Sequence, residues 1–151
     1  IEDFNTYGLT GDFEKRRGDR YQHFFLTFSK SKGGKQLGRR GQGRNVYWIA
    51  SYIKAFFGYS IQHDTGKKLL RGIAHPGQTN IGEDNYHPYM SYTVPYDGNN
   101  SVQNENETRP IVDEEEIKHF INFTGIKRKK EPGLSIVIPY PHERVKLKYL
   151  K

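Results

Sequence analysis

Apolar side chains recur at Val46, Ile49, Ile53, Phe56 and Phe57, in steps of three and four with polar residues between them. That spacing predicts a half-buried helix over residues 44 to 57, with Gly58 as its stop. A shorter helix is expected over residues 20 to 28, capped by Asp19 and lined on one face by Phe24, Phe25 and Phe28. Asp113, Glu114, Glu115 and Glu116 read as a capping box for a third helix, which runs through Ile117, Phe120 and Ile121 and ends before Gly125. Elsewhere the period is two. Residues 59 to 63 and 67 to 75 alternate on either side of Asp64-Thr65-Gly66, a hairpin pattern, and the apolar run over residues 134 to 139 predicts a buried strand. A short strand is expected near residues 89 to 94, between loops over 76 to 85 and 95 to 110 that are rich in Pro, Gly, Asn and acidic residues. The opening residues 1 to 4 read as the end of a strand that begins upstream, which predicts a single domain shortened at its N-terminus. Asn5-Thr6-Tyr7-Gly8 follows as a loop.

Helices and strands in this order predict an α/β or α+β layer structure with helices on one sheet face. A chain of 151 residues suffices for one domain burying roughly two-thirds of its unfolded surface. Only 34% of residues are hydrophobic, but eleven Tyr and nine Phe point to a core built of rings. The net charge of +7 favours polyanionic partners. With no cysteine there is no disulfide, thiolate nucleophile or Cys-based zinc site, and the six His show no ligand spacing. No run of eighteen apolar residues is present, so no membrane partner is expected and the default location is cytoplasmic.

The chemistry concentrates in residues 28 to 45, which hold five glycines, six basic side chains and no acid, and lead into the predicted second helix. Glycines let backbone N–H groups approach an anion, and a helix start adds unpaired donors, so the loop reads as a phosphate cradle. A solvated loop or an RGG-like segment tracking a nucleic-acid backbone is the plainer alternative. Strict βαβ alternation and GxxxxGK[ST] are both absent, which argues against Rossmann and P-loop domains.

Three segments in order resemble the nucleotide-binding boxes of the Bergerat-fold (GHKL) ATPases, the superfamily of gyrase, heat-shock chaperone, histidine kinase and MutL domains. Asp3-Phe4-Asn5-Thr6-Tyr7-Gly8 resembles the first box, Asp-x-Gly-x-Gly, with Asn5 in the first glycine position and one extra residue before Gly8. Gly38-Arg39-Arg40-Gly41-Gln42-Gly43 resembles the second box, behind a Ser-x-Lys element at residues 29 to 32 that is similar to the lid. Gly133-Leu134-Ser135 resembles the third box, usually Gly-Thr before a strand, with Leu134 in the Thr position. The surrounding wording is similar to a group of bacterial ATP-binding proteins of this superfamily.

The resemblance implies an α+β fold, a two-layer sandwich with a mixed, largely antiparallel sheet, and a module that binds ATP with Mg²⁺. Asp3 would accept from the adenine amine, which guanine lacks. Asn5, Thr6 and Gly8 would complete the first box, and Gly133 and Ser135 would belong to the third. Gly38, Gly41, Gln42, Gly43 and Asn45 would cradle phosphates, with Lys30, Lys32 and Arg44 as side-chain contacts. In the superfamily, a helix ahead of the first box supplies the catalytic Glu and the Mg²⁺-binding Asn, so these are expected upstream of residue 1. Nucleotide would close the lid and switch a homodimer or further domains of the same protein. Relatives act in DNA handling, chaperoning, signalling and phage defence. Beside this stand two alternatives, a non-enzymatic nucleic-acid module and a degenerate pseudo-ATPase. The run Lys127 to Lys130 reads as a solvated basic connection, Trp48 as either packing or an exposed contact, and Tyr86, Tyr89, Tyr92 and Tyr96 as sheet and core.

Overall fold

Residues 55 to 61 set Phe57, Tyr59 and Ile61 on one face and Phe56 beside the small Gly58 and Ser60 on the other, and both faces are buried. The computed structural model describes residues 1–12, 20–25, 43–75, 77, 79–81, 84–86, 90–95 and 108–145. Its elements are α1 (Arg20–Phe25), α2 (Asn45–Ile49), β1 (Ala55–Ile61), β2 (Lys68–Ala74), β3 (Thr79–Ile81), β4 (Asp84–Tyr86), β5 (Met90–Tyr92), β6 (Val94–Pro95), β7 (Thr108–Arg109), α3 (Glu114–Thr124) and β8 (Gly133–Val137), with a 3₁₀ turn at Glu143–Val145. The main sheet has the order β5-β2-β1-β8 and is antiparallel throughout, which makes the fold α+β. Residues 1 to 3 lengthen it beyond β8: Glu2 bridges Ser135, Ile136 donates to the Ile1 carbonyl at 2.8 Å, and Asp3 donates to that of Leu134 at 3.1 Å.

One face of β1 presents Phe56, Gly58 and Ser60. Phe56 packs there with Leu69, Ile73 and Ile136, under Tyr21 and Phe25 of α1, Trp48 of α2, and Leu9. This layer is rich in rings, with Phe24 and Phe25 4.9 Å apart edge to face and Tyr47 5.5 Å from Phe56. The other face is mainly aliphatic: Tyr59, Ile61 and Leu70 pack on Ile111 and on Ile117 of α3. Helices therefore cover both faces, where the sequence suggested one. The doubly apolar β1 is the physical reason.

The second predicted helix is the largest departure. Its helical part is only Asn45–Ile49. Val46 and Ile49 of the supposed buried stripe are 62% and 59% exposed, while Trp48 is buried against Phe56 and His75. The chain leaves the helix because residues 50 to 54 find other partners. Ser51 Oγ donates to the Pro139 carbonyl at 2.6 Å, and Tyr52 N–H to that of Tyr140 at 2.9 Å. Residues 55 to 57 then pair with β2, a long-range gain that helical periodicity does not register. Gly58 is no helix stop. It lies inside β1, where a Cβ would fall 2.7 Å from the Phe25 ring.

Local signals elsewhere match the elements. Asp113 accepts from Glu116 N–H at 2.8 Å to cap α3, and Gly125 closes it with φ of +72°. The reciprocal half of the capping box is replaced, because Glu116 Oε1 accepts from the Tyr92 hydroxyl at 2.6 Å. That bond holds the Tyr92 phenol above its ordinary pKa. The segments read as loops contain two small antiparallel pairs, β3 with β4 and β6 with β7. Asp19 and Phe28 lie outside the described residues. Among those described, no helix is long and apolar enough to cross a membrane.

Candidate nucleotide cleft

The first and third glycine segments meet through direct main-chain contact. Gly8 (φ +63°) and Gly133 (φ +141°) take conformations that L side chains rarely adopt. A Cβ on Gly8 would stand 2.4 Å from the Ile61 carbonyl oxygen and 3.1 Å from that of Gly133, and one on Gly133 would stand 2.6 Å from the Asp3 carbonyl oxygen. Only glycine allows this approach. Side chains on β1 then lock the two segments together. Ser60 Oγ accepts from Leu9 N–H at 2.8 Å and donates to the Gly133 carbonyl at 2.9 Å, while Gln62 Nε2 donates to the carbonyls of Leu9 and Gly11, both at 2.9 Å. Loop groups that water would otherwise serve are thus satisfied by two buried side chains.

Between this junction and the α1–α2 layer lies a cleft of about 590 Å³. One wall comprises Asp3, Thr6, Tyr7, Gly8, Leu9 and Leu134; the other comprises Arg20, His23, Phe24, Gly43, Arg44 and Tyr47. Asp3 Oδ1 accepts from Leu134 N–H and lies 3.4 Å from Arg128 Nη2. Its Oδ2 takes no hydrogen bond among the described residues, and the side chain is 51% exposed. Across the cleft the Arg20 guanidinium rests 4.8 Å over the Tyr7 ring. Beneath, Tyr21 anchors α1 by accepting from the buried Arg71 at 3.0 Å. Burial raises the Tyr21 phenol pKa, against the pull of Arg71.

Behind Asp3 sits a polar cluster. Arg128 is buried: Nε donates to Ser135 Oγ at 2.9 Å, Nη1 to the Glu131 carbonyl at 2.8 Å, and Nη2 to the Asp3 carbonyl. The expected solvated run over residues 127 to 130 is therefore corrected at its second member. Glu2 completes the cluster by accepting from Lys127 N–H at 2.9 Å, Arg128 N–H at 3.2 Å and Ser135 Oγ at 2.9 Å. Burial alone would raise the Glu2 carboxyl pKa, but these three donors and the Arg128 charge together hold it below its ordinary value.

Of the residues singled out from sequence, Asp3, Thr6, Gly8, Gly43 and Arg44 line the cleft. Gly133 underlies it through contact with Gly8. Asn5 (φ +57°) shapes the preceding turn. Ser135 faces the Arg128 cluster, and Asn45 opens α2. Arg44 is buried, with Nη1 donating to the Phe24 carbonyl at 2.5 Å and its guanidinium 5.9 Å from the Trp48 ring centre, so it braces α1 against α2. Lys30, Lys32, Gly38, Gly41 and Gln42 lie outside the described residues. Sequence reasoning missed Ser60, Gln62 and Arg128. Two polar residues two apart at the end of the apolar β1 were the available signal for the first pair. It also missed Tyr7, Leu9, Arg20, His23, Phe24 and Tyr47 as cleft residues, for which periodicity carries no signal. Comparison with family models, curated proteins and solved structures finds no match.

Proposed function

We propose that this chain binds ATP in the cleft between its N-terminal loop and the α1–α2 layer, as a GHKL-type module of the Bergerat fold. One observation carries the reading: residues from all three resembling segments, Asp3 and Gly8, Gly43 and Arg44, and Leu134, border a single cleft. Its volume is that of an ordinary small-ligand site. Asp3 Oδ2 offers an acceptor to the adenine amine, Tyr7, Phe24 and Tyr47 offer ring surface to a purine, and Arg20 and His23 offer cationic or donor groups to phosphate. The antiparallel α+β sheet agrees with this reading; the placement of α3 on the second face departs from a two-layer sandwich. The five-residue α2 is too short to supply much of a helix dipole, so phosphate binding rests on glycine-framed amides and side chains. Among the described residues no cluster of three or more His, Asp or Glu is arranged to hold a metal ion, and hydrolysis is assigned to none of them. By the same resemblance, nucleotide closing a lid would switch conformation or dimerisation. The nucleic-acid alternative is weakened at residues 127 to 130, where one of four cations is buried.

Equilibrium binding of ATP and GTP tests the reading. ATP is expected to bind about tenfold or more tightly than GTP, because guanine sets a carbonyl against Asp3, and Asp3→Asn removes the difference. Equal affinities for both nucleotides, falling together as salt rises, would instead indicate phosphate tracking.

A further inference from the structure

We infer that Arg128 is the positioning residue that sets base selectivity, by fixing the carboxylate of Asp3; this rests on the ATP reading above. A guanidinium with 0% side-chain exposure is costly to bury unless every donor edge is used. Here all three guanidinium nitrogens donate. Nε reaches Ser135 Oγ, Nη1 the Glu131 carbonyl, and Nη2 both the main-chain carbonyl and Oδ1 of Asp3, while one face lies 4.8 Å over the Phe4 ring. The group thus ties residues 3 and 4, the 128–131 turn and β8 into one unit. Its effect on Asp3 is specific. With the Leu134 N–H and Arg128 Nη2 both directed at Oδ1, the carboxylate plane is set and Oδ2 is the oxygen left for a ligand. Glu2 supports the arrangement from behind by donating nothing and accepting from Arg128 N–H and from Ser135 Oγ, the group that accepts from Nε. A planar fork is required for this geometry, since a lysine ammonium on its flexible stem has no rigid edges to meet Ser135, Glu131 and Asp3 at once.

The test measures dissociation constants for ATP, GTP and inorganic triphosphate, with melting temperatures, for the chain and for Arg128→Lys, Asp3→Asn and the double variant. Arg128→Lys is expected to lower the ATP-over-GTP ratio about tenfold. It leaves triphosphate affinity unchanged, and the double variant loses no more selectivity than Asp3→Asn alone. Should Arg128→Lys not fold, Ser135→Ala removes the acceptor of Nε while keeping the guanidinium, and is expected to lower the ratio about threefold. A folded Arg128→Lys protein with an unchanged ratio, or with ATP and GTP weakened equally, overturns the inference. So does an unchanged ratio in Ser135→Ala. If Arg128→Lys keeps selectivity while Asp3→Asn loses it, only the role of Arg128 fails; if the unsubstituted chain shows no preference for ATP, the ATP reading fails with it.

Discussion

The two walls of the cleft are held in place by different physics. The wall formed by residues 3 to 9 and β8 is fastened by polar bonds, with Ser60, Gln62, Arg128 and Glu2 each joining segments far apart in sequence. The wall formed by α1 and α2 is fastened chiefly by rings, with Phe24, Phe25 and Tyr47 gathered on Phe56 and single hydrogen bonds added by Arg44 and Arg71. Hydrogen bonds are directional, so the first wall holds a carboxylate at a defined angle. Ring packing draws its strength mainly from buried area, so the second wall takes its stability from the core beneath it.

The contrast breaks most visibly at Phe56. Phe56→Ala is expected to cost about 3–5 kcal/mol, because α1 and α2 lose the ring they share, and a urea titration measures it. A loss below about 2 kcal/mol would mean that the ring wall is not anchored there. Gly133→Ala should cost about 2–3 kcal/mol, since φ of +141° and the Asp3 oxygens 2.6 Å away both oppose a methyl group. It should also abolish ATP preference, which Phe56→Ala need not do.

Glu2→Gln sharpens the comparison through pH. The Glu2 carboxyl is held below its ordinary pKa in the folded chain, so its stabilisation is present above the unfolded value and is lost as pH falls through the folded value. The substitution should cost about 1 kcal/mol at pH 7 and flatten the acid side of the stability curve. Melting curves between pH 7 and pH 3 that stay parallel for the two proteins would remove Glu2 from the polar wall. The smallest effect on stability is expected at Gly43, where nothing lies within 4 Å of an added Cβ. Gly43→Val should change stability by less than about 0.5 kcal/mol while weakening ATP at least about tenfold, and undiminished affinity would detach this turn from the site.

Legibility in the sequence followed the range of the signals. Asp113 with Glu116, the Asp64-Thr65-Gly66 turn and the run from Leu134 are local patterns, and each lies where its element forms. The boundary between α2 and β1 was not legible, because Val46, Ile49, Ile53, Phe56 and Phe57 satisfy a helical period by coincidence. The deciding forces are the pairing with β2 and the bonds from residues 50 to 52 to residues 139 to 142. The grouping of Asp3, Gly8 and Gly43 around one cleft, with Gly133 beneath Gly8, was suggested by the resemblance to known boxes, while their role stays a proposal. Arg128 was not, since four consecutive cations give no sign of which one turns inward. A paired Glu2 and Asp3 with no cation nearby in sequence, and Ser135 inside an apolar strand, were the only hints of a buried charge.

Amide shifts of the ¹⁵N-labelled chain during an ATP titration test the shared cleft most directly. Saturable changes are expected together at Gly8, Gly43 and Leu134, with one dissociation constant and with smaller changes for GTP. Shifts confined to residues 127 to 130, or changes on one wall without the other, would contradict a nucleotide held between them.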